Sequence, residues 1–117
     1  MKPDAIEQEI QAKGLTAPRI TLADIDANIS SEWYFTAANG VIGNVDMDDS
    51  DSEIPVSLDL LTFCVLVLQN GFTVTGESAC ASPENFDAEI GRKIARQNAV
   101  QKIWPLMGYE LRSRLSA

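Results

Sequence analysis

The sequence predicts an α+β domain: a small antiparallel sheet built on a central β-hairpin, packed by one long C-terminal helix and shorter N-terminal helices. Three observations lead there. "LTFCVLVLQNGFTVTGES" sets two strand-like runs around Asn70-Gly71, a preferred hairpin turn. "SPENFDAEIGRKIARQNAVQKIW" carries helix-start residues followed by helical spacing of apolar positions. With 117 residues, 45% of them hydrophobic, the chain can bury a modest core as one domain spanning 1–117. Within it, 1–31 reads as a helical N-terminal part, 44–57 as an acidic loop, and 61–115 as the hairpin-plus-helix core.

The opening fifteen residues predict a short helix. Pro3 falls near its first turn, Ile6 and Ile10 share a face, and Gly14 ends it. Thr21 with Asp24 resembles a capping box, with Asp in place of the usual Glu. It opens a second helix, "LADIDANISSE", with Leu22, Ile25 and Ile29 on one stripe. "WYFTAANG" reads as a short strand with a turn at Asn39-Gly40, or as a continuation of the second helix. "NVDMDDSDSEIP" is acidic and poor in apolar residues, which predicts an exposed loop.

In the hairpin, a two-residue turn at Asn70-Gly71 would set Gln69 opposite Phe72, Val67 opposite Val74 and Val65 opposite Gly76. The first strand is apolar on both faces and belongs inside the sheet; the second is half polar and nearer an edge. In the long helix, Ser82 serves as N-cap and Pro83 as first residue. Phe86, Ile90, Ile94 and Trp104 line one stripe, and Ala88, Gly91, Ala95 and Ala99 another. Such a helix packs on two sides, against the sheet and against another helix or subunit. Pro105 breaks or kinks it, leaving "LMGYELRSRLSA" as a separate short helix.

Charge and missing residue types constrain function. A net charge of −8 disfavours non-specific nucleic-acid binding, since a phosphate backbone attracts clustered Lys and Arg. The chain has no histidine, which removes Ser-His-Asp and Cys-His catalysis, the common zinc sites and the usual acid–base group at neutral pH. No catalytic residue, metal site or cofactor is therefore assigned, and the chain reads as a non-enzyme. An enzyme working through carboxylates or Cys80 is the alternative. "MKPDAIEQEIQAKG" is not a secretory signal, and no run spans a membrane, which predicts a cytosolic protein.

"GFTVTGES" differs from a phosphate-binding loop by having Glu77 where the lysine belongs. Its alternation is that of a strand, Gly71 is used by the turn, and Glu77 repels phosphate. The acidic run "DMDDSDSE" lacks the sixth-position glycine of a calcium loop. Cys64 sits mid-strand and reads as packing. The segment "GESACASPEN" joins a strand end to a helix start, a geometry in which free amides and hydroxyls can hold an anion. Ser78, Cys80 and Ser82 are the candidate ligands there. Arg92 and Arg96 lie two and three turns down the helix and reach the same anion only from a neighbouring subunit. Trp33, Tyr34 and Phe35 read as core.

"TFCVLVLQNGFTVTGESACASPENFDAEIGRKIARQNAVQKIWPLMGYELRSRL" resembles a family of small tailed-phage proteins named for gene product 49 of one phage and gene product 66 of another. "NGFTVTGESAC", "PENFDAEIG" and "IWPL" carry the resemblance most specifically. It implies a phage or prophage origin and a place in the cytoplasm of the infected bacterial host; it carries over no activity, cofactor or site residue. The expected function is that of an accessory protein in host takeover or counter-defence. It would block a host or defence protein, or sequester a small anionic, nucleotide-type signal, as a homo-oligomer without membrane attachment. A virion or structural component is the further alternative.

Overall fold

The computed structural model describes residues 3–44 and 53–117. Helix α1 (Pro3–Ala12) ends as expected before Gly14, whose φ of 66° lies in the left-handed region. Helix α2 (Leu22–Asn28) starts at the predicted capping box. The Thr21 hydroxyl accepts from the Asp24 amide at 3.1 Å, and the Asp24 carboxylate accepts from the Thr21 amide at 2.8 Å. Strand β1 (Ile29–Thr36) follows without a loop, so the second helix is shorter than the sequence predicts. Tertiary pairing overrides local preference here. Gln69 at the hairpin donates its backbone N–H to the Asn28 carbonyl at 2.9 Å, fixing the point where helix becomes strand.

The strand reading of Trp33–Phe35 is correct, but Asn39-Gly40 is not a turn. It lies inside helix α3 (Ala37–Asn44). Thr36 and Asn39 cap each other reciprocally, Asn39 N–H to Thr36 Oγ1 at 3.1 Å and Thr36 N–H to Asn39 Oδ1 at 2.9 Å. Asn39 thus plays the part usually taken by Glu or Gln. Of the predicted acidic loop 44–57, residues 45–52 lie outside the described residues. Asn44 belongs to α3, and the segment from Val56 forms a 3-10 turn, Val56–Leu60.

Strands β2 (Leu61–Leu68) and β3 (Thr73–Ala79) form the hairpin, and the antiparallel sheet has the order β1-β2-β3. The doubly apolar strand is central and the half-polar one is at an edge, as expected. Register is shifted by one residue from the expected pairing. Val67 faces Thr73, Leu66 faces Val74 and Cys64 faces Gly76. The loop has three residues, not two. Gly71 donates to the Leu68 carbonyl at 2.9 Å, Leu68 donates to the Phe72 carbonyl at 2.8 Å, and Gly71 has φ 89°. This is a tight turn followed by a glycine bulge, the common three-residue hairpin. Because side chains alternate, the one-residue shift moves Val74 onto the face of Cys64 and Leu66.

Helix α4 (Ala88–Leu115) runs 28 residues, roughly 42 Å at the standard rise. Two expectations fail at it. Ser82 precedes only a 3-10 turn (Pro83–Asn85) and makes no capping hydrogen bond with its side chain. Asp87 is the true N-cap, accepting from the Ile90 amide at 3.0 Å. Pro105 does not end the helix. Its ring is on the exposed side, where water can serve the Gln101 carbonyl left without a donor.

The small-residue stripe of α4 meets the sheet. Ala95, Ala99 and Ile103 are fully buried with Cys64, Leu66 and Ile25. At Gly76 the helix comes so close that a Cβ would fall on the Ala95 carbonyl oxygen and the Ala99 amide nitrogen. Alongside, the Asn98 side-chain amide donates to the Glu77 carbonyl at 2.8 Å. Ile90 and Ile94, on the other flank, remain exposed in the single chain.

Candidate functional site

The sheet has one covered face and one open face, and parity along β2 decides which residues lie on each. Thr62, Cys64, Leu66 and Leu68 are buried under α4, while Leu61, Phe63, Val65 and Val67 alternate with them and are only half-buried. Pairing with β1 brings Trp33 beside Val65 and Phe35 beside Phe63 on the open face. The two phenyl rings stack with centroids 5.4 Å apart. Trp33 is 62% exposed, with its indole N–H donated to Ser31 Oγ at 2.9 Å. The expectation that Trp33 and Phe35 pack in the core is therefore incorrect; only Tyr34 points toward the core cluster. α3 reaches one end of the face, near Phe35, and among the described residues no helix spans the rest. A strand apolar on both sides is the signature of a sheet covered on both sides. That pattern in β2 was the sequence signal for this surface.

The covered side holds the main polar cluster. The Arg96 guanidinium on α4 bonds the Glu32 carboxylate on β1 at 3.0 Å, and Asp26 lies 4.0 Å away. Tyr34 donates its hydroxyl to the same Glu32 oxygen at 2.7 Å. Arg96 holds the Glu32 carboxyl below the usual carboxylate range, partial burial opposes this, and the Tyr34 hydrogen bond adds to it. Burial, then the hydrogen bond to Glu32, pushes the Tyr34 phenol up. Burial likewise pushes the Cys64 thiol up. Each group is thus held in its resting form at neutral pH, with the thiol un-ionised and unreactive. The cluster clamps α4 to β1 and has no group poised to exchange a proton.

This clamp has a pH signature. A carboxylate depressed on folding adds stability that is complete above its unfolded pKa, near 4.5, and is lost as pH falls through the folded value. Glu32→Gln should lower stability at neutral pH by up to about 1 kcal/mol, the range for a pair that solvent still reaches. It should also reduce the acid loss, read as urea midpoints at about pH 7 and about pH 3. An unchanged acid limb would mean that Glu32 is not the group responsible.

The five residues proposed for an anion are not brought together within one chain. Ser78 and Cys80 line a cavity of about 270 Å³ with Leu60, Ile90 and Ile94, where Asp87 is the only charged side chain among the described residues. Ser82 turns its hydroxyl to Glu84 at 2.7 Å, and its carbonyl accepts from Cys80 Sγ at 3.2 Å. Arg92 lines a separate cavity of about 110 Å³ with Tyr34, Thr36 and Phe86. Arg96 is engaged by Glu32. The "GFTVTGES" segment is turn and strand, as its alternation predicts.

A larger cleft of about 370 Å³ lies between α1 and α4, where Ile6, Ile10, Ile20 and Trp104 make the walls. At its lip Glu7 and Arg19 form a two-point ion pair at 2.7 and 2.9 Å. Sequence reasoning missed it because its walls come from three separated segments. Among the described residues no group of three or more Cys, Asp and Glu side chains is placed to hold a metal ion. No described helix is long and apolar enough to cross a membrane.

A family model described as phage protein (N4 Gp49/phage Sf6 gene 66) matches residues 20–115, from just before α2 to the end of α4. No curated protein and no solved structure matches the chain.

Proposed function

We propose that this chain, which belongs to the phage protein (N4 Gp49/phage Sf6 gene 66) family, is an accessory protein that acts in the infected host by binding rather than by catalysis. Its role is host takeover or counter-defence, by occluding a host or defence protein. The observation that carries this reading is the open sheet face, where Trp33, Phe35, Phe63, Val65 and Val67 form an apolar surface bordered on β3 by Thr73, Thr75 and Glu77. Aromatic anchors of this kind dominate binding energy at protein interfaces. A net charge of −8 favours a partner whose apolar centre is ringed by basic residues. The sequestering alternative has less support, because no described basic side chain of the same chain lines the cavity beside Ser78 and Cys80.

The test is capture from infected cells by wild type and by Trp33→Ser. Trp33 is largely exposed, so its loss leaves the fold intact. Wild type should retain a basic protein in a salt-sensitive complex, and the variant should bind that protein at least about tenfold more weakly, as expected for an interface tryptophan. Equal retention by both proteins would overturn the reading, as would substrate turnover by the purified chain. Recovery of the chain in washed phage particles would instead favour a structural component.

A further inference from the structure

Charge is divided along this chain. Six of its nine basic residues lie on α4, opposed there only by Glu89 and Glu110, while the remainder of the chain is strongly acidic. The last buried residue of α4 is Ile103. Beyond it the helix continues for three further turns, in which Leu106, Tyr109 and Leu115 are exposed. Trp104, Met107, Leu111 and Leu115, spaced three, four and four apart, make one apolar stripe along this tail. Pro105 and Gly108 fall within it and disfavour helix by roughly 3 and 1 kcal/mol relative to alanine. A helical stretch of this length is not held by propensity. It needs packing, and its own chain covers it only in part.

The cleft between α1 and α4 has the complementary character. Its walls are apolar, and α1 carries Asp4, Glu7 and Glu9, of which Glu7 pairs with Arg19 at the lip and Glu9 with Lys13 in an exposed bridge at 3.0 Å that a second partner can share. The tail carries Arg112 and Arg114, with Lys102 at its root and Glu110 its one carboxylate, 3.6 Å from Arg114. The tail cannot enter the cleft of its own chain, because it extends from Trp104, a wall of that cleft, as one continuous helix. Two surfaces of opposite charge on one chain can be satisfied together in a two-fold pair, where each contact forms twice.

We propose that the occupant is a second copy of this chain. In the dimer, the tail of α4 from each copy lies along α1 and the cleft of the other, with Arg112 and Arg114 facing Asp4 and Glu9. The overall shape fits such an exchange: the chain measures 61 × 33 × 18 Å, so its ends protrude from the sheet body. The pairing is independent of what the sheet face binds.

Charge reversal with rescue tests it. Arg112→Glu/Arg114→Glu and Asp4→Lys/Glu9→Lys change exposed side chains only, and circular dichroism checks that both variants stay folded. Analytical ultracentrifugation of the full chain should show a dimer that weakens with added salt. Each double variant alone should self-associate at least about tenfold more weakly. An equimolar mixture should recover dimer, because tail and α1 charges then oppose each other at both contacts. A monomeric wild type, variants as dimeric as wild type, or a mixture that fails to recover would each overturn the proposal.

Discussion

Gly76→Ala should destabilise the fold by about 3 kcal/mol or more, at the upper end of what overpacking costs. The added Cβ would fall on the Ala95 carbonyl oxygen and Ala99 amide nitrogen, and 2.9 Å from the Ala99 Cα. All three belong to helix backbone, so no rotamer change relieves the clash. The helix must lift from the strand by roughly 1 Å to restore ordinary contact distances, and dispersion falls steeply over such a gap. Lifting α4 also loosens Ala95, Ala99 and Ile103 over Cys64 and Leu66, the centre of the core. Urea unfolding followed by far-ultraviolet circular dichroism measures the loss. A variant within about 1 kcal/mol of wild type would mean that strand and helix do not touch at this point.

Leu66→Ala should cost about 2–5 kcal/mol, the range for a buried leucine truncated to alanine. Leu66 is fully buried on the central strand, between Glu32 of β1 and Val74 of β3. Val65→Ala, one residue away on the open face, should cost less than about 1.5 kcal/mol, since it removes half-exposed methyls and leaves no sealed cavity. The difference between neighbours measures which face α4 covers. Comparable losses at both sites, read from urea midpoints, would mean that the two faces are equally buried.

Where local chemistry decides, the fold was readable in the sequence. Thr21 with Asp24, Asn70-Gly71, Gly14 and the doubly apolar run of β2 each state a preference that tertiary contacts agree with. Where preferences are weak or competing, longer-range contacts decided. Ile29–Glu32 can be helix or strand alone, and pairing to β2 makes it strand. The hairpin register turns on whether Asn70-Gly71 closes two or three loop residues, a choice local sequence leaves open. Ser82 and Asp87 both carry cap-type side chains, and only Asp87 accepts a hydrogen bond from a helix amide, that of Ile90, while the Ser82 hydroxyl goes to Glu84. Pro105 fails to end α4 because its missing hydrogen bond faces water.

The candidate site was less readable. Ser78 and Cys80 do share a cavity, but Arg92 and Arg96, about one and two turns into α4, lie around the helix from it, and Arg96 is committed to Glu32. The open face could have been inferred from two facts held together: β2 is apolar on both sides, and among the described residues α4 is the one helix long enough to span a sheet. One layer is thus left uncovered by the described helices.

The amide of Asn98 resting on the Glu77 carbonyl has a consequence for solubility. β3 ends the sheet, and the backbone groups of Glu77, which occupies a non-hydrogen-bonded position opposite Phe63, point outward, where a stray strand from another chain could add on. By occupying that carbonyl from above, Asn98 removes one rung of the ladder such a strand would climb, and the Glu77 carboxylate puts a charge beside it. A protein with one greasy sheet face in the open thereby blunts the border along which uncontrolled β-aggregation would begin.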